Sequence, residues 1–161
     1  MNISPILVGI TGFKSTVKTI QFLKSEVDFC KMTIVGLNHD KEIDLEEIKQ
    51  SDSEQEKALL NVQIVVYDKH ITYNEEDIDK LNHRLNHEYD TLRRKVKSYQ
   101  PMIELLYPDY NLTFLFEELT ALTYDANTKH IDRILTELDL ITDRVNHEND
   151  ETLAQRYKRH I

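Results

Sequence analysis

Disulfide cross-linking is closed to this chain, because it carries one cysteine, Cys30, and an intrachain bridge needs two. The apolar context of Cys30 implies a buried, inert thiol in a reducing compartment. Glycine is almost as scarce, with Gly9, Gly12 and Gly36 the only three. Everything after position 36 therefore lacks the residue that most readily closes left-handed helix ends and tight turns, which favours packed helices over loops there. Long hydrophobic runs are missing too: none approaches the ~20 apolar residues of a membrane span, and the start has no basic leader of the signal-peptide kind. Basic residues are outnumbered, 20 against 29 acids, for a formal charge of −9. Such a balance disfavours general binding to nucleic acid or to anionic membranes, which are held by Lys and Arg neutralising phosphate. Together these absences imply an acidic cytoplasmic protein with no membrane partner.

What is present fits one globular domain spanning residues 1–161, since 40% hydrophobic and 30% charged residues over this length suffice for a real core. Three apolar runs read as strands: Pro5 to Gly12, Met32 to Leu37, and Val62 to Tyr67. Between the first two, Phe13, Val17, Ile20 and Val27 recur at helical spacing, giving a strand-helix-strand unit long enough for a parallel crossover. Asp44 reads as the start of a short acidic helix, and Ser53 with Glu56 as a capping box that opens another. The expected fold is thus α/β or α+β, with a small N-terminal three-stranded βαβ-like sheet in residues 1–70 and a predominantly helical C-terminal half over 75–161.

In that second half Ile78, Leu81, Leu85, Tyr89, Leu92, Val96 and Tyr99 advance by three or four, and Pro101 is expected to end or kink the helix they form. A new helix follows Pro108, with Leu112, Leu115, Phe116, Leu119 and Leu122 on one face. Asp125 to Thr128 supply capping chemistry for a last helix carrying Ile131, Ile134, Leu135, Leu138, Ile141 and Val145.

The junction from Gly9 to Thr16 holds the most suggestive chemistry. Glycines between a strand and a helix let backbone N–H groups approach a phosphate, while Lys14 neutralises charge and Ser15 or Thr16 donates a hydrogen bond. In this the segment resembles a phosphate-binding P-loop, which implies a phosphate or nucleotide ligand, with Asp68 after the third strand helping to hold a divalent ion. It departs from that pattern where Phe13 separates Gly12 from Lys14 and in a glycine spacing two residues short. Lys14 and Lys18 also stand in the first turns of the expected helix, where the macrodipole disfavours cations and a bound anion would relieve them.

Three further constellations are possible sites. His83 and His87 lie four apart with Asp90 one turn on, a spacing that puts potential metal ligands on one helix face; Arg84 stands where a zinc-protease helix would carry its general base. Arg93, Arg94, Lys95 and Lys97, followed by Tyr99, offer a local contact for nucleic acid, although bases near a helix end also simply complement its dipole. The basic tail from Arg156 to His160 reads as partner-facing. No catalytic residue is assigned, because no Ser-His-Asp, Cys-His or convergent acid pair is visible.

The reading favoured by these observations, over an enzymatic one that stays open, is a small regulatory or adaptor protein that works through protein–protein contacts. Its long amphipathic helices imply a homo-oligomer, with Leu85 and Leu92 as interface positions. The competing reading is a ligand-binding or enzymatic α/β domain that takes a phosphate or nucleotide with Gly9, Gly12, Lys14, Ser15, Thr16 and Asp68. No cofactor is firmly implied.

Overall fold

The computed structural model describes residues 5–124 and 127–159, with side chains through residue 148. Within these residues the chain forms helices α1 (Pro5–Gln50), α2 (Glu54–Leu106), α3 (Thr113–Leu122) and α4 (Thr128–Arg159). No strand occurs among the described residues, so the expected three-stranded βαβ-like sheet, and with it the α/β or α+β class, is overturned. All three strand-like runs lie inside helices, and Asp44 stands deep within α1 rather than opening a helix of its own.

The physical reason is a longer apolar series that the short runs belong to. In α1, Leu23, Val27, Cys30, Ile34, Leu37, Lys41, Asp44 and Ile48 alternate steps of four and three, and every one is buried or half-buried. The same holds in α2 for Lys57, Leu60, Ile64, Tyr67, Ile71, Asn74, Ile78, Leu81 and Leu85. A 3.5-residue repeat of this kind is the signature of a helix pair packed along one seam. Holding Val and Ile in a helix costs up to ~0.7 kcal/mol each relative to Ala. Burying one such side chain returns ~1.5–3 kcal/mol, so the seam outweighs the local β preference of Met32 to Leu37 and Val62 to Tyr67.

The chain divides into two compact units, Phe22–Asn86 and the remainder, Met1–Gln21 with His87–Ile161. The first is a helical hairpin in which residues 22–50 of α1 and 54–86 of α2 are joined by a short turn. Ser53 caps α2, its hydroxyl accepting from the Glu56 N–H at 3.3 Å. Glu56 reaches back to the Ser51 hydroxyl at 3.0 Å, and Ser51 in turn accepts from the Ser53 N–H at 3.2 Å, so the expected capping box forms with Ser51 inserted into it.

Hairpin register is fixed by polar groups placed in or beside the seam. Asp44 is buried in the seam, where its charge adds to burial in pushing the Tyr67 phenol above its ordinary value, and Lys41 pairs with Asp68 at 2.7 Å. Sliding one helix by a heptad would strand these groups in an apolar layer, which is how polar seam positions specify alignment at some cost in stability.

The second unit packs helical segments around one core. It draws Ile6, Ile10, Phe13, Val17 and Ile20 from α1, and Leu92, Val96 and Ile103 from α2. Leu115, Phe116, Leu119 and Leu122 come from α3; Ile131, Ile134, Leu138, Ile141 and Val145 come from α4. These are the helical faces read from spacing in the C-terminal half. Phe13 is at their centre, edge-on to Tyr99 at 6.1 Å and to Phe116 at 5.9 Å. Pro101 does not end α2, which continues to Leu106. The missing N–H leaves the Lys97 carbonyl without its helical donor, a loss that buried Ile103 on the far side of the proline helps to offset. Asn127 caps α4, accepting from the His130 N–H at 2.8 Å, whereas Asp125 lies outside the described residues.

Two glycines make opposite predictions. A Cβ on Gly9 would meet Ile103 Cδ1 at 3.1 Å and Tyr99 Cδ1 at 3.3 Å, whereas one on Gly36 would meet nothing within 4 Å. Gly36→Ala should therefore stabilise the protein by ~0.5–1 kcal/mol through helix propensity alone. Gly9→Val should cost ~1–3 kcal/mol by overpacking the contact with α2. Thermal melts followed by circular dichroism check both, and a Gly9→Val protein as stable as the parent would contradict the close packing.

Candidate functional site

The residues from Gly9 to Thr16 occupy the opening turns of α1, with no strand-to-helix junction beneath them. Gly9 permits close approach of α2. Gly12 exposes its carbonyl to Lys95, whose ammonium donates to Gly12 O at 3.1 Å and to Thr16 Oγ1 at 2.7 Å. Thr16 Oγ1 also donates to Gly12 O at 3.2 Å. Lys14 is paired with Asp139 on α4. Ser15 is exposed, and its carbonyl accepts from Thr19 Oγ1 at 3.1 Å. Of the groups that suggested an anion cradle, Thr16 thus ties α1 to α2 and Lys14 ties it to α4. Asp68 belongs to the hairpin, where it pairs with Lys41.

His83 and His87 are both exposed on α2. Asp90 accepts from Arg93 at 2.6 Å, an ion pair within its own helix. Among the described residues no group of three or more His, Cys, Asp and Glu converges to hold a metal ion. His130 bonds the Glu118 carbonyl through Nε2 at 3.1 Å, and His147 is exposed.

The basic run does not present a single surface. Lys95 turns inward to Gly12, Arg93 lies over the Tyr124 ring at 5.6 Å, and Arg94 Nε donates to the Asp90 carbonyl at 3.4 Å. Lys97 is exposed. The tail from Arg156 to His160 lies outside the described side chains. Leu85 is buried in the hairpin seam and Leu92 in the bundle core, so both are covered within the chain itself. Cys30 is buried in the same seam; burial, then the charges of Asp77 and Glu26, push its thiol above the ordinary value, away from nucleophilic use.

Two polar clusters went unread in the sequence. Glu118 is buried on α3 with Oε1 3.3 Å from Arg133 and Oε2 without a hydrogen-bond partner. Tyr110, in the turn before α3, hydrogen-bonds Glu148 on α4, while Arg144 covers the Tyr110 ring at 3.9 Å and reaches Glu148 at 3.3 Å. Neither lies at recognisable motif spacing, so only the fold brings them together. A shallow hollow of about 400 Å³ lies against α3, lined by Gln100, Thr113, Phe116, Glu117, Thr120, Ala121 and Tyr124.

The feature that stands apart is apolar and belongs to the hairpin. Leu59, Val62, Val65, Val66 and Tyr73 on α2 are 69%, 63%, 55%, 44% and 58% exposed. On α1, Phe22, Phe29, Met32 and Val35 are likewise exposed. Scattered exposed apolar side chains are normal, but here Leu59, Val66 and Tyr73 repeat every seven residues with Val62 between, which makes a continuous stripe. A second hollow of about 370 Å³, lined by Val65, Asp68, Lys69, Thr72 and Tyr73, adjoins it. The sequence carried this signal in the 59, 62, 66 and 73 spacing, hidden by the strand reading of Val62 to Tyr67.

No helix among the described residues is long and apolar enough to cross a membrane. Comparison with known proteins adds no relative: no family model, no curated protein and no solved structure matches the chain.

The Tyr110 cluster makes a pH prediction. Burial, then the hydrogen bond to Glu148 and that carboxylate's charge, push the Tyr110 phenol up to about 12, with Arg144 opposing. The same hydrogen bond, against desolvation and assisted by Arg144, holds Glu148 below the usual carboxylate range. A raised phenol contributes stability below its unfolded value that is lost as pH rises toward 12. A depressed carboxylate contributes stability that is lost as pH falls through its folded value. Tyr110→Phe should lower the melting temperature at neutral pH and remove the tyrosine that ionises near pH 12 in an ultraviolet titration. Loss of that tyrosine's absorbance change near pH 10 instead would show that Tyr110 does not make this contact in solution.

Proposed function

We propose that this chain is a regulatory or adaptor protein that acts by protein–protein contact through the outer apolar face of its hairpin. The observation that carries the reading is the exposed stripe Leu59, Val62, Val66 and Tyr73. A helix needs one apolar stripe to pack in a hairpin, and α2 already has it in Leu60, Ile64, Tyr67 and Ile71. A second stripe at the same 3.5-residue repeat adds nothing to that seam, and its exposure favours aggregation unless something covers it. Helix faces presented in this way are the standard receptor for another helix, with side chains three and four apart as anchors. Two kinds of occupant suit the face, a second copy and a different protein, and they differ in the charge they bring.

The test separates folding from association. Leu59→Glu with Val62→Glu should leave helicity intact and shift stability by no more than ~0.5 kcal/mol, as for ordinary surface positions. Leu60→Glu, one residue away, should cost several kcal/mol, on the order of 3 or more, because it buries an unpaired charge. Sedimentation of the parent and capture of partners from the native host should then show association that the double variant lacks. A double variant with all the associations of the parent would remove this face from the function.

A further inference from the structure

We infer that the hairpin's outer stripe docks a basic amphipathic helix of a separate protein, an inference that rests on the hairpin being the interaction surface. Charge decides the occupant. From Ala58 to Asn74 the only Asp, Glu, Lys or Arg residues are Asp68 and Lys69, and Asp68 is held by Lys41 at 2.7 Å. The stretch is therefore nearly uncharged, and its outer stripe is apolar at Leu59, Val62, Val66 and Tyr73, with Lys69 filling one place and able to lay its aliphatic stem along it.

Acids bracket the strip at both ends. Glu54 and Glu56 precede it; Glu75, Glu76, Asp77 and Asp79 follow it. The bases nearest the ends are Lys57, which pairs with Glu54 at 3.6 Å, and Lys80. Over residues 22–86 there are fifteen acids and eight bases, so the hairpin holds −7 of the chain's −9.

A second copy meets this pattern badly. Paired parallel, its strip sets each acidic end against the same acidic end; paired antiparallel, it sets Glu54 and Glu56 against Glu75 to Asp77. Either way like charges face each other across the contact, which penalises association. An anionic lipid surface is repelled for the same reason. A helix with its own apolar side chains three and four apart, and Lys or Arg toward both ends, buries the strip and neutralises both brackets. The strip covers about 25 Å at 1.5 Å per residue, so the matching segment has roughly four to five turns.

Two synthetic peptides of about 18 residues test this, long enough to span the strip. Both carry leucines at alternating three and four spacing; one has Lys and Arg elsewhere, the other Glu. Fluorescence anisotropy against the full-length protein should give saturable binding of the basic peptide, with the acidic one weaker by about tenfold or more, equivalent to at least ~1.4 kcal/mol.

Val62→Glu with Val66→Glu should weaken the basic peptide by a similar factor, about tenfold, although the variant is more acidic. Asn61→Glu with Asn38→Glu, both at exposed positions, adds the same charge off the stripe and should leave binding unchanged or tighter. Bulk electrostatic attraction predicts tighter binding to both variants, and that result overturns the inference. Equal binding of the two peptides overturns it as well. Concentration-dependent dimers in sedimentation, lost in Val62→Glu with Val66→Glu and unaccompanied by any basic-peptide preference, would keep the interaction face and replace its occupant by a second copy. No stripe-dependent association of any kind would overturn both the inference and the reading beneath it.

Discussion

A side-chain series that repeats every three and four residues keeps one side of α1 and α2 buried along their length, and the remaining structure depends on it. In α1 the series runs from Ile6 through Ile10, Phe13, Val17, Ile20 and Leu23 to Ile48. In α2 it runs from Lys57 to Ile103. Helices of 46 and 53 residues gain little from propensity when they contain Gly9, Gly12, Gly36, Pro101 and many β-branched residues. Tertiary burial along the stripe is what holds them, so each long helix can serve two compact units without a break.

That dependence explains which parts of the fold were legible. In the C-terminal half, Ile78 to Tyr99, Leu112 to Leu122 and Ile131 to Val145 carry apolar residues at helical spacing with polar residues between, and no competing pattern exists. In the first half the same spacing runs through Cys30, Ile34 and Leu37, but Met32, Val35 and Gly36 fill the gaps and turn the segment into a continuous apolar run. Val62, Val65 and Val66 do the same beside Ile64 and Tyr67. A short run with apolar residues on two sides of a helix is locally indistinguishable from a buried strand, and only a window longer than four turns separates them. Of the exposed residues that blurred the fold, Val62 and Val66 also belong to the outer stripe.

The chemistry read from the sequence met a similar limit. Lys14, Thr16 and Gly12 are residue types that bind anions when a turn leaves backbone N–H groups free, and the same types join helices when those N–H groups are spent on helical bonds. Lys95 decided the matter by supplying a charge-assisted hydrogen bond to the Gly12 carbonyl and the Thr16 hydroxyl from 79 residues away along the chain in the latter case. No local motif encodes such a partner. Leu85 and Leu92 were correctly placed on an apolar face, but a face is shared between core and interface, and only burial assigns it.

The hairpin's two faces are built on different rules, and the difference argues for separate roles. Its seam mixes apolar layers with buried Asp44 and half-buried Tyr67 and Lys41, the last paired with exposed Asp68 at the seam's edge, and these groups favour one alignment. Its outer stripe is apolar at Leu59, Val62, Val66 and Tyr73, interrupted by Lys69, and carries no buried polar group comparable to Asp44. A surface that must fold one way needs internal specificity; one that receives another helix can leave alignment to charge at the rim. Concentrating seven of the nine net negative charges on the hairpin gives that rim its sign.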